Sequence, residues 1–207
     1  MSAPSRRLGV LISGRGSNLQ SIIDAIASGR LDATIAVVIS NRPDAAGLAR
    51  ARAVGIETVV SEHKAWPTRA EYDAALAATL RAHQVDLVCL AGFMRLLGAG
   101  FVEAFPNAVL NIHPSLLPAF PGLDAQRQAW AYGVKVSGAT VHFVTPELDA
   151  GPIVMQRAVP VEDADTAETL AARILAVEHE LYPAAIARVL DDGWRIDGRR
   201  VVQVTKA

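Results

Sequence analysis

Three side chains in this sequence could do chemistry together: Asn111, His113 and Asp149. Asn111 and His113 close an apolar run, Ala108-Val109-Leu110, which reads as a short buried strand ending at Pro114-Ser115-Leu116-Leu117-Pro118. Residues two apart on a strand point to one face, so an amide and an imidazole would aim at one small target. Such a pair supplies what a developing oxyanion and a moving proton need. Read blandly, the same stretch is a proline-rich turn carrying a structural histidine. Asp149 lies in Thr145-Pro146-Glu147-Leu148-Asp149-Ala150-Gly151-Pro152, where an acid is ordinarily a solvated turn residue. Folded back beside His113, its carboxylate would favour the imidazolium form. No nucleophile is obvious: Cys89 lies in the apolar run Leu87-Val88-Cys89-Leu90, and Ser115 lacks a Gly-x-Ser-x-Gly elbow. The set fits acyl transfer by direct attack of a substrate amine, without an acyl-enzyme.

A second constellation opens the chain. Leu8 to Ile12 is apolar, Ser13-Gly14-Arg15-Gly16-Ser17-Asn18 follows, and Leu19, Ile22, Ile23 and Ile26 recur at helical spacing. Strand, glycine loop and helix start place free N–H groups and a helix dipole where an anion can sit. The dinucleotide fingerprint is not met. Leu19 stands in place of its third glycine, and the next strand, Thr34 to Ser40, ends in Asn41-Arg42 without an acidic ribose partner. A monophosphate site on Gly16, Ser17 and Asn18 and a plain strand-to-helix turn both remain open.

The elements that must position these groups alternate. Ala46 to Val54 reads as a helix stopped by Gly55, Glu57 to Val60 as a strand, Arg69 to Gln84 as a helix and Leu87 to Leu90 as a buried strand. This rhythm calls for a Rossmann-like α/β fold: a mostly parallel twisted sheet with helices on both faces. Ligands in such sheets bind beyond the carboxyl ends of the strands, so the glycine loop, residues 92–97 and residues 111–118 are expected on one edge. Beyond Gly122 the pattern changes. A short helix, Ala125 to Tyr132, precedes two strands, Val136 to Val144 and Ile153 to Val161, which pair antiparallel. Asp165-x-x-Glu168 resembles a capping box opening a long helix, in which Leu170, Ile174, Val177 and Leu181 form a stripe that Pro183 kinks or ends. Trp194 to Val204 reads as a terminal hairpin around Asp197-Gly198.

Composition narrows the classes. At 207 residues and 51% hydrophobic the chain can bury one sizeable core. A net charge of -1 argues against nucleic-acid binding. A single cysteine excludes an intramolecular disulfide framework and a cysteine zinc site, and no metal is expected. No apolar run approaches the ~20 residues that span a bilayer, so a cytoplasmic protein is expected, with monomer and homodimer both open.

Taken in order, Ser13-Gly14-x-Gly16-Ser17-Asn18-Leu19, Ala91-Gly92-Phe93-Met94-Arg95, Leu110 to Pro118 and Val141-His142-Phe143-Val144…Leu148-Asp149-x-Gly151-Pro152 resemble the phosphoribosylglycinamide formyltransferases. The resemblance runs from about Leu8 to Pro183. It implies one formyltransferase domain over 1–207, with a phosphate-binding half (1–105) and a catalytic, folate-binding half (106–207). It also implies that 10-formyltetrahydrofolate formylates the amine of glycinamide ribonucleotide, with Asn111, His113 and Asp149 catalytic. Gly16, Ser17, Asn18, Pro114, Leu175, Ala176, Val177 and Glu178 match ribonucleotide-contacting positions. Arg69, Met94, Arg95, Leu96, Leu97, Asn111, Thr145, Pro146, Glu147, Leu148 and Asp149 match folate-contacting ones. The chain departs from the pattern at Arg15, Ala119, Asp124 and Gln126. A formyltetrahydrofolate hydrolase, another formyltransferase of this fold and, more remotely, a nicotinamide-dependent reductase are the alternatives.

Overall fold

The computed structural model describes residues 6–191 and 193–204. Two compact units divide the chain between Leu110 and Asn111.

In the first unit, β1 (Arg7–Ile12), β2 (Thr34–Ser40), β3 (Thr58–Val60) and β4 (Leu87–Leu90) lie in the order β3-β2-β1-β4. All their pairings are parallel. Val10 pairs with Val38 on one side and with Cys89 on the other. Leu8, Val10, Leu11, Ile12, Val37, Val38 and Ile39 are fully buried, so these strands are covered on both faces, which is why they read as unbroken apolar runs. The connections carry α1 (Ser17–Ala27), α2 (Ala46–Ala53), α3 (Arg69–Ala82) and α4 (Ala99–Ala104). Gly9 lets α3 pack closely, because a β-carbon there would strike Leu80 of that helix.

β5 (Val109–His113) begins in the first unit and ends in the second. The second unit holds α5 (Ala125–Tyr132), β6 (Val136–Phe143), β7 (Ile153–Pro160), α6 (Ala167–Leu190), β8 (Trp194–Asp197) and β9 (Arg200–Gln203). β6 and β7 are antiparallel, β9 joins β7 in parallel at one pair, and β8–β9 is the hairpin expected around Asp197-Gly198. α6 packs on α5, β6 and β7. Among the described residues no helix is long and apolar enough to cross a membrane.

The α/β class, the parallel strands and the C-terminal hairpin with its long helix match the sequence reading. Several local features differ, among them these. α4 has no counterpart in that reading, because six residues, Ala-Gly-Phe-Val-Glu-Ala, are too few to show a helical period. The capping box sits one residue later than Asp165…Glu168: Thr166 accepts from the Thr169 N–H, and the Thr169 hydroxyl accepts from the Thr166 N–H. Asp165 instead accepts from the Thr169 hydroxyl and from Arg173. Of the two outcomes expected at Pro183, the ending of α6 does not occur. The helix runs on to Leu190, with Tyr182, Pro183, Ala185 and Ile186 buried around the missing N–H.

Candidate active site

In the second unit, β5 delivers Asn111 half-buried and His113 buried at its carboxyl end. The segment that follows is tied to β6 and β7 by side chains of those strands. Thr140 Oγ1 donates to the Ser115 carbonyl (2.6 Å) and accepts from the Leu117 N–H (3.1 Å), while Gln156 donates to the Leu117 carbonyl (2.9 Å). The prolines would otherwise leave this backbone without ladder partners. The imidazole of His113 is fixed at both nitrogens: Nε2–H donates to the Phe120 carbonyl at 2.9 Å, and Nδ1 lies 3.4 Å from Asp149 Oδ2.

Asp149 reaches that position from the loop between β6 and β7. Its own φ is +49°, a left-handed conformation that Asp tolerates better than most residues. Gly151 is required two residues later, since a β-carbon there would run into the Phe143 carbonyl. The carboxylate accepts the Gly122 N–H at 2.8 Å and is 9% exposed. An acid in a turn is normally solvated; this one is enclosed.

A second imidazole completes the cluster. His142, 2% exposed, donates from Nδ1 to the Phe143 carbonyl at 2.9 Å, so its Nε2 carries the lone pair. That lone pair accepts from Asn111 Nδ2 at 3.3 Å, and Nε2 lies 3.7 Å from Asp149 Oδ1. Burial pushes the His142 pKa below the usual histidine range; the Phe143 carbonyl and Asp149 oppose this, and His113 reinforces it. A neutral His142 therefore settles which way the Asn111 amide points and leaves its second N–H for a substrate oxygen. Thr140, Gln156, Phe120 and Gly122 carry no chemical signature in the sequence, and only their positions reveal their supporting roles.

The remaining expected residues of this unit sit as follows. Pro114 directly follows β5, residues 145–149 form the β6–β7 loop, and residues 175–178 lie in the middle of α6. Leu148 is 53% exposed. Glu178, on a helix where a charge is usually solvated, is 6% exposed.

In the first unit, Gly16 caps α1 at φ +69° and supplies no side-chain cap, while Ser17 and Asn18 begin the helix. A β-carbon on Gly16 would lie 2.6 Å from Gly47 Cα, so the loop is pressed against α2. The Gly47 N–H bonds to the Gly14 carbonyl (3.0 Å) and Arg50 Nε to that of Arg15 (2.9 Å). This loop and residues 92–97 adjoin: the Ser13 N–H donates to the Gly92 carbonyl (3.1 Å), and Ser13 Oγ accepts the Met94 N–H (2.8 Å) and donates to Asn41 (2.6 Å). Met94, Arg95 and Leu96 are exposed and Leu97 is buried, while Arg69 is the exposed first residue of α3.

An amide, two imidazoles and a carboxylate gathered at a strand end can stabilise a developing oxyanion and move a proton, leaving the attack to an incoming amine. Among the described residues, Cys89 is buried in β4 and the Ser115 hydroxyl is spent on the Ala119 carbonyl. Residues 6–186 match the family model described as formyl transferase, and the chain belongs to that family. It is similar to the phosphoribosylglycinamide formyltransferase of Escherichia coli (strain K12), with 46% identity over 190 residues, 92% of this chain and 87% of that protein. It is also similar to the human trifunctional purine biosynthetic protein adenosine-3, with 49% identity over 183 residues, 88% of this chain but 18% of that protein's length. Glycinamide ribonucleotide transformylase 1 from Symbiobacterium toebii superposes with a TM-score of 0.95 at 56% identity, covering 97% of this chain and 95% of that one.

Proposed function

We propose that this chain transfers the formyl group of 10-formyltetrahydrofolate to the amine of glycinamide ribonucleotide, as a cytoplasmic enzyme of purine biosynthesis. The observation that carries the reading is the enclosed His113–Asp149 contact beside Asn111. The amine attacks the formyl carbon and its oxygen becomes an oxyanion. The free Asn111 N–H and the His113 imidazole stabilise that charge, with the Asp149 carboxylate, 3.4 Å away, holding the ring in place. His113 Nε2–H is engaged with the Phe120 carbonyl, so its work on substrate requires handing that N–H over to the bound formyl group. As the tetrahedral intermediate collapses, the carbon–N10 bond breaks, the amine loses a proton, and the folate nitrogen leaves carrying one.

In this reading the ribonucleotide's phosphate is held by Gly16, Ser17 and Asn18, and its remaining contacts are Pro114, residues 175–177 and Glu178. The formyl folate contacts Arg69, residues 94–97, Asn111 and residues 145–149. Exposed Met94, Leu96 and Leu148 suit a flat apolar ring system.

The test is to supply 10-formyltetrahydrofolate with glycinamide ribonucleotide and follow deformylated folate and formylated amine together. Equal amounts of the two are expected, with little folate release when the amine is omitted. Release independent of the amine would make the chain a hydrolase, and no release at all would remove the reading.

A further inference from the structure

Residues 94–98 are pinned at both ends by buried side chains. The Met94 N–H bonds to Ser13 Oγ at 2.8 Å, and the Gly98 N–H bonds to Asp73 Oδ2 at 2.7 Å. Between the pins the apolar side chains divide: Leu97 is 6% exposed, whereas Met94 is 65% and Leu96 59%. Two large exposed apolar side chains on one short segment are an invitation to collapse, and a backbone satisfied from beneath prevents it.

The Gly98 pin is an unusual choice. Asp73 is 4% exposed, and its other oxygen, Oδ1, is buried without a hydrogen-bond partner. Burial pushes its pKa up, opposed by the Gly98 N–H and by the positive charges of Arg69 and Arg95. Arg69 lies close as well: a β-carbon built on Gly98 would be 2.9 Å from Asp73 Oδ2 and 3.6 Å from the Arg69 guanidinium. An asparagine, serine or threonine could take one N–H at less desolvation cost, and a half-satisfied buried carboxylate lowers stability. What a carboxylate adds is charge, set beside the exposed Arg69 guanidinium.

We infer that Asp73 is a positioning residue for the formyl folate: it anchors residues 94–98 through Gly98 and sets its carboxylate beside the Arg69 guanidinium. This rests on the assignment of Arg69 and residues 94–97 to the folate, and it adds a residue that touches no substrate. Ser13 anchors the other end of the same segment, but it also joins the glycine loop and so serves both substrates.

The test measures initial rates and thermal melting for wild type, Asp73→Asn and Asp73→Ala. Asn keeps an acceptor for Gly98 and loses the charge. Asp73→Ala is expected to raise KM for 10-formyltetrahydrofolate by about tenfold, and Asp73→Asn by a smaller but clear factor of about three. KM for glycinamide ribonucleotide and kcat should stay within about twofold, a factor worth only a few tenths of a kcal/mol. Asp73→Asn should melt no lower than wild type. A formyl-folate KM unchanged in both variants overturns the inference, as does a common change in both KM values and kcat that follows lost thermal stability. An Asn variant indistinguishable from wild type overturns the charge and leaves a backbone anchor alone. A wild type that transfers no formyl group overturns the functional reading and this inference with it, whereas an active wild type with silent variants overturns this inference alone.

Discussion

His113 and Asp149 meet at 3.4 Å although thirty-five positions separate them in the chain, and each is held by backbone groups that fix its orientation. His113→Ala and Asp149→Asn are each expected to lower kcat by ~100-fold or more, the scale for losing general acid–base or oxyanion help. Steady-state rates at saturating substrates check this, and near-normal turnover in either variant would remove the mechanism. His142 carries a pH signature of its own. Its folded-state pKa lies below the unfolded value of about 6.5, so the unfolded chain takes up the proton first as pH falls. The stability it contributes is therefore complete above about pH 6.5 and is lost as pH falls through the folded-state value. Melting temperature should drop from pH 7 towards pH 5, and His142→Gln should flatten that drop; parallel profiles would assign the acid sensitivity to other groups.

Among the elements, α6 is fixed at its start by a reciprocal cap. Thr166 and Thr169 satisfy each other's backbone N–H groups, and Thr166→Ala is expected to cost about 1 kcal/mol, measured by denaturant unfolding. An effect of that size at Glu168 instead would return the box to the position its sequence pattern suggests. The α1 start is constrained differently. Gly16 combines a positive φ with contact against Gly47, so Gly16→Val strains both the loop and α2. The expected result is weakened ribonucleotide binding together with a lower melting temperature. Unchanged affinity by titration would remove the phosphate assignment. Both elements show why motifs place a terminus to within a residue or two only: Asp165 and Thr166 are equally good caps on paper, and the choice is made by where Arg173 puts its guanidinium.

For the whole molecule, ligand linkage gives the simplest check. A ligand that binds only the folded state at about 100 times its Kd adds ~2.7 kcal/mol, which for a chain of this size raises Tm by roughly 5–10 °C. Glycinamide ribonucleotide and a non-reactive formyl-folate analogue should each produce such a shift. A nicotinamide dinucleotide, the ligand of the generic glycine-loop reading, should not.

The α/β class and most strand and helix spans, to within two residues, were legible along the chain, as were the letters of a candidate reactive set. Those features are local: alternating apolar runs, glycines at turns and motif spacing are written along the chain. The tertiary structure alone decided that Asp149 is enclosed rather than solvated and that His142 accepts from Asn111 and so orients its amide. It likewise decided that Glu178 and Asp73 are buried charges, and that Thr140 and Gln156 hold the proline segment in place. Burial and hydrogen-bond direction depend on what distant segments bring alongside, and a carboxylate's surroundings leave no trace in its neighbours along the chain. The amide, the imidazole and the carboxylate could be picked out as letters. Their common enclosure exists only once β5, β6 and the loop between β6 and β7 have come together.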